Sequence, residues 1–462
     1  MVRDRYLIAL DLGTAFIKGA VIDLDRLCVE HIRRVPFPEP IVGLPPLWCE
    51  IDPARVLTAV RDVLQALLAS APDCGGIVMC GQMGGLVLCT ESGAALSNYI
   101  SWRDQRLLQP HPSGQGAYFE VLRQRLRADE RRQLGNEVRP GLPVSFLFWL
   151  AEQKRLPAEA AYAATLTDFV LAHLCGAAPA LELTQAVGAL NLETLDWHYG
   201  VFARLGLARV RWPALKDLRE PVGFLEAGGR ALPCYAPVGD HQCALAGAGL
   251  DYGELSLNIS TGSQASLLTP GLETGDYQTR PYFDRRYLNT ITHIPAGRAL
   301  NVLLALLDEL PTAQGRPLDD PWAYLQQAAA AASDTDLGVD LAFFPSPVGE
   351  RGAITNISED NLSVGQLFRA AFRGMAANYQ ACALRLSPTR AWQSMVFSGG
   401  LAQKLDLLRD LIVAELPGPY RVCAENEDTL AGLLALALVI TGRAPTLPAA
   451  TQRLRQHAQS LI

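Results

Sequence analysis

Four short stretches of the chain bring glycine, hydroxyl and carboxylate side chains together at the ends of apolar runs. Residues 9–23 read ALDLGTAFIKGAVID: the run Leu7-Ile8-Ala9-Leu10 ends in Asp11, Gly13-Thr14 follow, and a second apolar run closes on Asp23. Residues 253–270, GELSLNISTGSQASLLTP, repeat the pattern around Thr261-Gly262. Asp240 stands at the end of an apolar run in APVGDHQCALAGAG, before small residues of helical character. Gly399-Gly400 follow the run SMVFS. Tight glycine turns offer backbone N–H groups to phosphates. A carboxylate beside such a turn suits a phosphate-bound metal ion, and a carboxylate on a rigid strand end suits general-base work. The same residue types also make plain turns and helix caps, so each stretch alone leaves both readings open. No GxxxxGK[ST] is present and no GxGxxG follows a strand, so a nucleotide would need glycine hairpins gripping it from two sides.

The elements that must position these residues read as α/β. Residues 53–70, PARVLTAVRDVLQALLAS, carry Pro53 at a helix start and apolar residues at helical spacing. Strands are expected at Ile77–Cys80 and Leu86–Cys89, on either side of the turn GQMGG. Residues 110–230 read as more helical, with Pro and Gly breaks. Residues 231–250 read as a strand ending at Gly239-Asp240 and then a helix, and 394–416 as strand, double glycine and amphipathic helix. The stretch NEDTLAGLLALALVITG reads as a buried helix. Each half thus opens with a hairpin whose turn holds glycine and a hydroxyl, and a boundary near 245–252 is expected.

Length and composition narrow the function classes. The 462 residues allow two to four domains, and 49% apolar against 19% charged residues allows large cores. A net charge of −7 without a basic block argues against nucleic-acid binding. The Arg-rich stretch RQRLRADERR, 123–132, is interleaved with Asp129 and Glu130 and reads as a solvated helix face. Ten scattered cysteines form no CxxC, which fits reduced, buried thiols rather than a disulfide framework. His173 and Cys175 lie in the apolar stretch VLAHLCG, where a core histidine is favoured over a zinc ligand. Asp11 interrupts the first apolar stretch too early for a signal peptide, and no run approaches the roughly 20 residues of a membrane span. The expectation is a cytoplasmic protein without membrane contact.

In order and spacing, DLGTAFIKG, GQMGGLVL, SWRDQR, PVGDHQCALAGAG, LNISTGSQASL and FSGGLAQK resemble the FGGY family of carbohydrate kinases, from about residue 6 to 441. Within it, LNISTGSQ, RPYFDRRYLN and GERGAITNISEDNLSVGQLFRAAFRGMAANY look most like sedoheptulokinases, then xylulokinases. The resemblance implies two actin-like, ribonuclease H-like domains around a central cleft: 1–248 on the sugar side, 249–446 on the nucleotide side, then a tail helix at 447–462. It implies ATP-dependent phosphorylation of a terminal hydroxyl of a ketose, with sedoheptulose first and xylulose or another polyol as the alternative. The partners implied are a small sugar and ATP, with a homodimer left open. A nucleotide switch on the same fold, without the sugar wall, is the rival from another class; WRDQR and Asp240 argue against it.

The resemblance also implies roles. Asp240 is the catalytic base and meets the sugar. Asp11 and Asp240 help hold Mg2+. Gly13, Thr14, Thr261 and Gly262 grip the phosphates, while Gly399, Gly400 and Gln403 meet the adenosine. Gln82, Met83, Trp102, Asp104 and Arg106 form the sugar side. Lys18 reads equally as a phosphate ligand or a solvent-facing strand lysine. Gly84 departs from the family, which usually carries histidine after Gln-Met; the loss of that imidazole leaves room for a different sugar.

Overall fold

The computed structural model describes residues 5–157, 159, 161–423 and 427–460; residues 1–4 of the expected first domain and 461–462 of the expected tail helix lie outside these. Two mixed sheets follow one plan. In the first, the strands run in the order Pro221–Ala227, Arg230–Tyr235, Ile77–Gly81, Tyr6–Leu12, Phe16–Asp23, Cys28–Pro36, and Val238–Gly239 also pairs with Ile77–Gly81. Tyr6–Leu12, Phe16–Asp23 and Cys28–Pro36 form an antiparallel meander, and Ile77–Gly81 returns parallel to the first of them. In the second sheet Glu254–Ile259, Ser263–Thr269 and Arg286–Ile294 form the meander and Ser394–Ser398 returns parallel to its first strand. Gln278–Tyr282 and Tyr420–Val422 complete its edges.

Both sheets are covered on two faces, which is why their central strands are apolar almost throughout. Helix Pro53–Ser70 has the range its sequence predicts: Asp52 caps it by accepting from Ala54 N at 2.9 Å, and Pro53 fills its first turn. Its buried face of Val56, Leu57, Val60, Val63, Leu64 and Leu67 lies on the first sheet. Gly19 lets it ride close, since a Cβ there would stand 2.7 Å from Val63 and Leu67 side-chain atoms.

The layer between the sheets holds helices Asp240–Gly247 and Asp428–Ile440. Their core takes Leu7, Ala9 and Val78 from the first sheet and Leu268, Leu288 and Val396 from the second. Helix Asp428–Ile440 therefore needs apolar residues all round, as its sequence has. The two helices cross with their backbones nearly touching. A Cβ on Gly247 would lie 1.9 Å from Asp428 O, and one on Gly432 2.0 Å from Cys243 O. Helices Gly297–Ala313 and Val364–Leu386 cover the outer face of the second sheet.

Two local expectations change. The segment after Gly399 is two helices, Gly400–Lys404 and Asp406–Glu415, broken at Leu405. The Arg-rich stretch spans two short helices, Tyr118–Arg125 and Ala128–Gln133, and is not a plain solvated face. Glu130 is buried and paired with Arg204, and Arg131 Nη1 donates to Leu126 O at 2.9 Å. His173 is structural: its ring bridges Gly93 O at 3.0 Å and Arg61 at 2.9 Å. Among the described residues, no helix is long and apolar enough to cross a membrane.

Candidate active site

Asp11 lies near the end of the first strand, buried, directly opposite Lys18 across the hairpin. Its Oδ2 accepts from Thr429 Oγ1 at 2.7 Å, and Lys18 Nζ stands 3.8 Å away. Lys18 also pairs with Glu427 at 2.6 Å, and Glu427 with Arg34. Lys18 is thus neither free nor solvent-facing. Asp11 Oδ1 is buried and, apart from the Cys80 thiol beside it, has no hydrogen-bond partner. Burial raises the Asp11 pKa.

Asp240 is the first residue of helix Asp240–Gly247, after the strand Val238–Gly239. Gly239 is the cap residue, so Asp240 does not spend its side chain on capping; among the described residues its Oδ1 accepts from His241 N, at 2.8 Å. Burial, then the nearby charge of Asp11, push its pKa up to about 7. Two carboxylates in a poorly solvated corner each disfavour the other's charge.

The residues expected on the sugar side fall into two groups. Gln82, Met83 and Trp102 border the turn and the acid. Gln82 Nε2 reaches Gly13 O at 3.5 Å, Trp102 Nε1 donates to Thr14 Oγ1 at 3.0 Å, and the Met83 sulfur sits 2.9 Å from where a Cβ on Gly239 would stand. Trp102 is half-buried and outside the apolar cores. Asp104 and Arg106 are buried at 0% and 2% exposure and satisfy one another. Asp104 accepts from Cys49 N at 2.6 Å and from Arg106 Nε and Nη2 at 2.9 and 2.8 Å; Arg106 Nη2 also reaches Glu50 at 2.6 Å, with its guanidinium over Trp48. The room expected at Gly84 is filled by main chain. Gly84 has φ +83°, and a Cβ there would lie 2.7 Å from Gly141 O.

The second hairpin turn forms its own cluster. Thr261 O accepts from Arg298 N at 3.0 Å and Ser260 O from Gly297 N at 3.1 Å. A Cβ on Gly297 would meet Ser260 O, Thr261 Cα and Leu401, which places the start of helix Gly400–Lys404 at the same spot. Gly399 takes φ +88°, with its backbone against Ile259 O; Gly262 and Gly400 face open space. Gln403 donates to Cys423 O at 2.9 Å and so ties its helix to the edge strand.

Helix Asp240–Gly247 joins the clusters. His241 Nε2 lies 3.5 Å from Ser266 Oγ, on the strand leaving the second turn, and Arg280 Nη1 donates to His241 Nδ1 at 2.8 Å. Burial and then Arg280 hold the imidazole neutral. Arg280 makes a two-bonded pair with Glu137 at 2.8 and 2.9 Å, and Glu137 also binds Arg139. None of Glu137, Arg139, Arg280, His241, Glu427 or Thr429 stands out in the sequence by motif. The contact of Lys18 with Asp11, by contrast, follows from hairpin register.

The donor set suits magnesium carried in by phosphates. Among the described residues, Asp11 Oδ1 is a buried oxygen with no partner besides the Cys80 thiol, and Asp240 is a second carboxylate in its field. Among the described residues, no cluster of three or more ligating side chains offers a protein-only metal cage. The open spaces at Gly262 and Gly400 suit close approach by a nucleotide.

Residues 6–238 match the FGGY family of carbohydrate kinases, N-terminal domain. The chain is 24% identical to a sedoheptulokinase of Mus musculus, across 94% of this chain and 97% of that protein. It is likewise 24% identical to a xylulose kinase of Bacillus subtilis, across 56% and 52%. Among solved structures, gluconate kinase from Lactobacillus acidophilus superposes with a TM-score of 0.82 at 18% identity, covering 97% of this chain and 91% of that one. A ligand-bound xylulose kinase from the same organism gives 0.83 at 18% identity over the same shares. The fold is accordingly the two-domain actin-like one of these kinases. The chain belongs to the FGGY family of carbohydrate kinases and is an ATP-dependent phosphotransferase with an alcohol group of a carbohydrate as acceptor.

Proposed function

We propose that this kinase phosphorylates a terminal hydroxyl of a ketose, with sedoheptulose as the substrate. The observation that carries the chemistry is Asp240: a carboxylate with one hydrogen bond, poised near neutrality by burial and Asp11, beside the Gln82, Met83 and Trp102 wall. A base of that pKa accepts a hydroxyl proton efficiently near pH 7. Support for sedoheptulose is that its kinases align over nearly the whole of both chains, whereas the xylulose kinase aligns over about half.

In this reading Asp240 takes the proton of the attacking hydroxyl, and Trp102 and Met83 form the apolar wall that orients the sugar. Asp104 and Arg106 anchor the Trp102 loop from beneath. The 13–14 and 261–262 turns hold the triphosphate through backbone N–H groups, and Gly399, Gly400 and Gln403 border the adenosine. Asp11 and Asp240 would hold Mg2+, which when bound neutralises charge on the transferring phosphoryl group. Closure of domains 1–248 and 249–446 would exclude water from the reacting atoms. All ten cysteines are free thiols, in keeping with a cytoplasmic enzyme.

A coupled ADP-release assay over sedoheptulose, xylulose, gluconate and glycerol tests the substrate. Sedoheptulose is expected to give the highest kcat/KM; a tenfold preference for any other compound would reassign it.

A further inference from the structure

A cavity of about 470 Å³ opens between the Arg-rich segment and the second sheet, and neither Asp11 nor Asp240 lines it. Arg123, Arg131, Arg139 and Arg385 line it, against a single carboxylate, Asp276, in a chain whose net charge is −7. Asp276 is already engaged: its carbonyl and carboxylate oxygens take Arg385 Nη2 at 2.8 and 3.0 Å. Three polar atoms of the lining residues, Arg139 Nε, Arg385 Nε and Gln278 Oε1, are buried without hydrogen-bond partners. The walls are held together beneath the cavity, where Asn136 Nδ2 donates to Gly275 O at 2.9 Å and Thr279 N to Gly135 O at 2.9 Å.

Arg131 Nη1 and both Nη groups of Arg139 and Arg385 already serve protein partners, so the donors left for an anion include the Arg123 guanidinium and the Nε groups of Arg139 and Arg385. Guanidinium N–H groups suit an anion with several oxygens such as phosphate. The volume falls within the range of small-molecule sites. Arg139 also continues inward: it binds Glu137, which pairs with Arg280, which holds His241 next to Asp240. A ligand drawing on Arg139 would act on a chain of contacts ending beside the acid.

We infer that this cavity is an anion site for a phosphate-bearing small molecule of sugar-phosphate size, separate from the cleft that takes nucleotide and sugar. Calorimetric titration of the full chain with pyrophosphate tests it without reference to kinase activity. Binding of one pyrophosphate is expected, weakened at least tenfold by Arg123→Glu and by Arg385→Gln, and unaffected by saturating ADP. Arg123 is exposed, its guanidinium lies over the Phe119 ring at 6.0 Å and its carbonyl, kept in any variant, accepts from Arg131, so Arg123→Glu should keep the wild-type melting point. No binding at millimolar pyrophosphate, equal affinity in the folded variants, or displacement by ADP would overturn the assignment. Displacement of pyrophosphate by a ketose phosphate would identify the reaction's own product as the source; retention would assign the site to another phosphate ester.

Discussion

Asp240 carries a stability signature as well as a chemical one. Its folded pKa of about 7 lies above the roughly 3.9 of an unfolded aspartate, so the folded protein holds the extra proton between those values. That contribution is complete below about pH 4 and is lost as pH rises through 7. Asp240→Asn removes the penalty of the charged form, so the ligand-free variant should gain about 1–3 kcal/mol more over wild type at pH 8 than at pH 5. Equal gains at both pH values, read by thermal melting, would mean that neither burial nor Asp11 raises the Asp240 pKa. Asp104 tests a different role. Asp104→Ala leaves Arg106 buried beside Glu50 alone, and loss of one partner from a buried pair costs about 3–5 kcal/mol. A lowered melting point is expected; a raised sugar KM at unchanged stability would instead return Asp104 to direct contact. At this scale the sequence was legible where covalent spacing sets geometry. The 13–15 turn places Lys18 against Asp11. Thr429 was not legible, because it meets Asp11 from 418 positions away. The burial of Asp104 and Arg106 was equally hidden, since WRDQR looks the same on a surface as beneath Trp48.

At the scale of elements, the crossing of helices Asp240–Gly247 and Asp428–Ile440 sets where Asp240 and Thr429 can sit. Gly432 permits that crossing, and any side chain there would enter the Cys243 carbonyl. Gly432→Val should cost at least about 1–3 kcal/mol by overpacking and lower kcat along with stability. A fully stable, fully active Gly432→Val protein in denaturant melts and assays would show that the crossing tolerates separation. Helix Pro53–Ser70 was readable end to end because its cap, its proline and its apolar stripe agree. The break at Leu405 was not, because the apolar spacing of 400–416 continues through it, while in the structure Leu405 leaves helical geometry at φ −104° and ψ 84°. At Gly84 the missing imidazole suggested space, but a glycine also lets backbone approach, and Gly141 does so.

At the scale of the molecule, two sheets of one plan face each other across a helical layer, and each offers a glycine turn at the end of its first strand. The weak echo of residues 9–23 in 253–270 was the readable trace of that duplication. The insertion of aromatic-rich structure between the two, including Trp149, Phe146 and Trp197, left no such trace. A single acid, Asp240, stands at the junction of the two halves. Its role as the base is tested most directly by sugar-dependent ADP release from wild type and Asp240→Asn, with ATP affinity measured in parallel. The prediction is turnover that requires a ketose and falls about 10²–10⁴-fold in the variant, with ATP affinity within a few-fold of wild type. Comparable turnover in the variant, or ATP consumption by wild type indifferent to sugar, would contradict it.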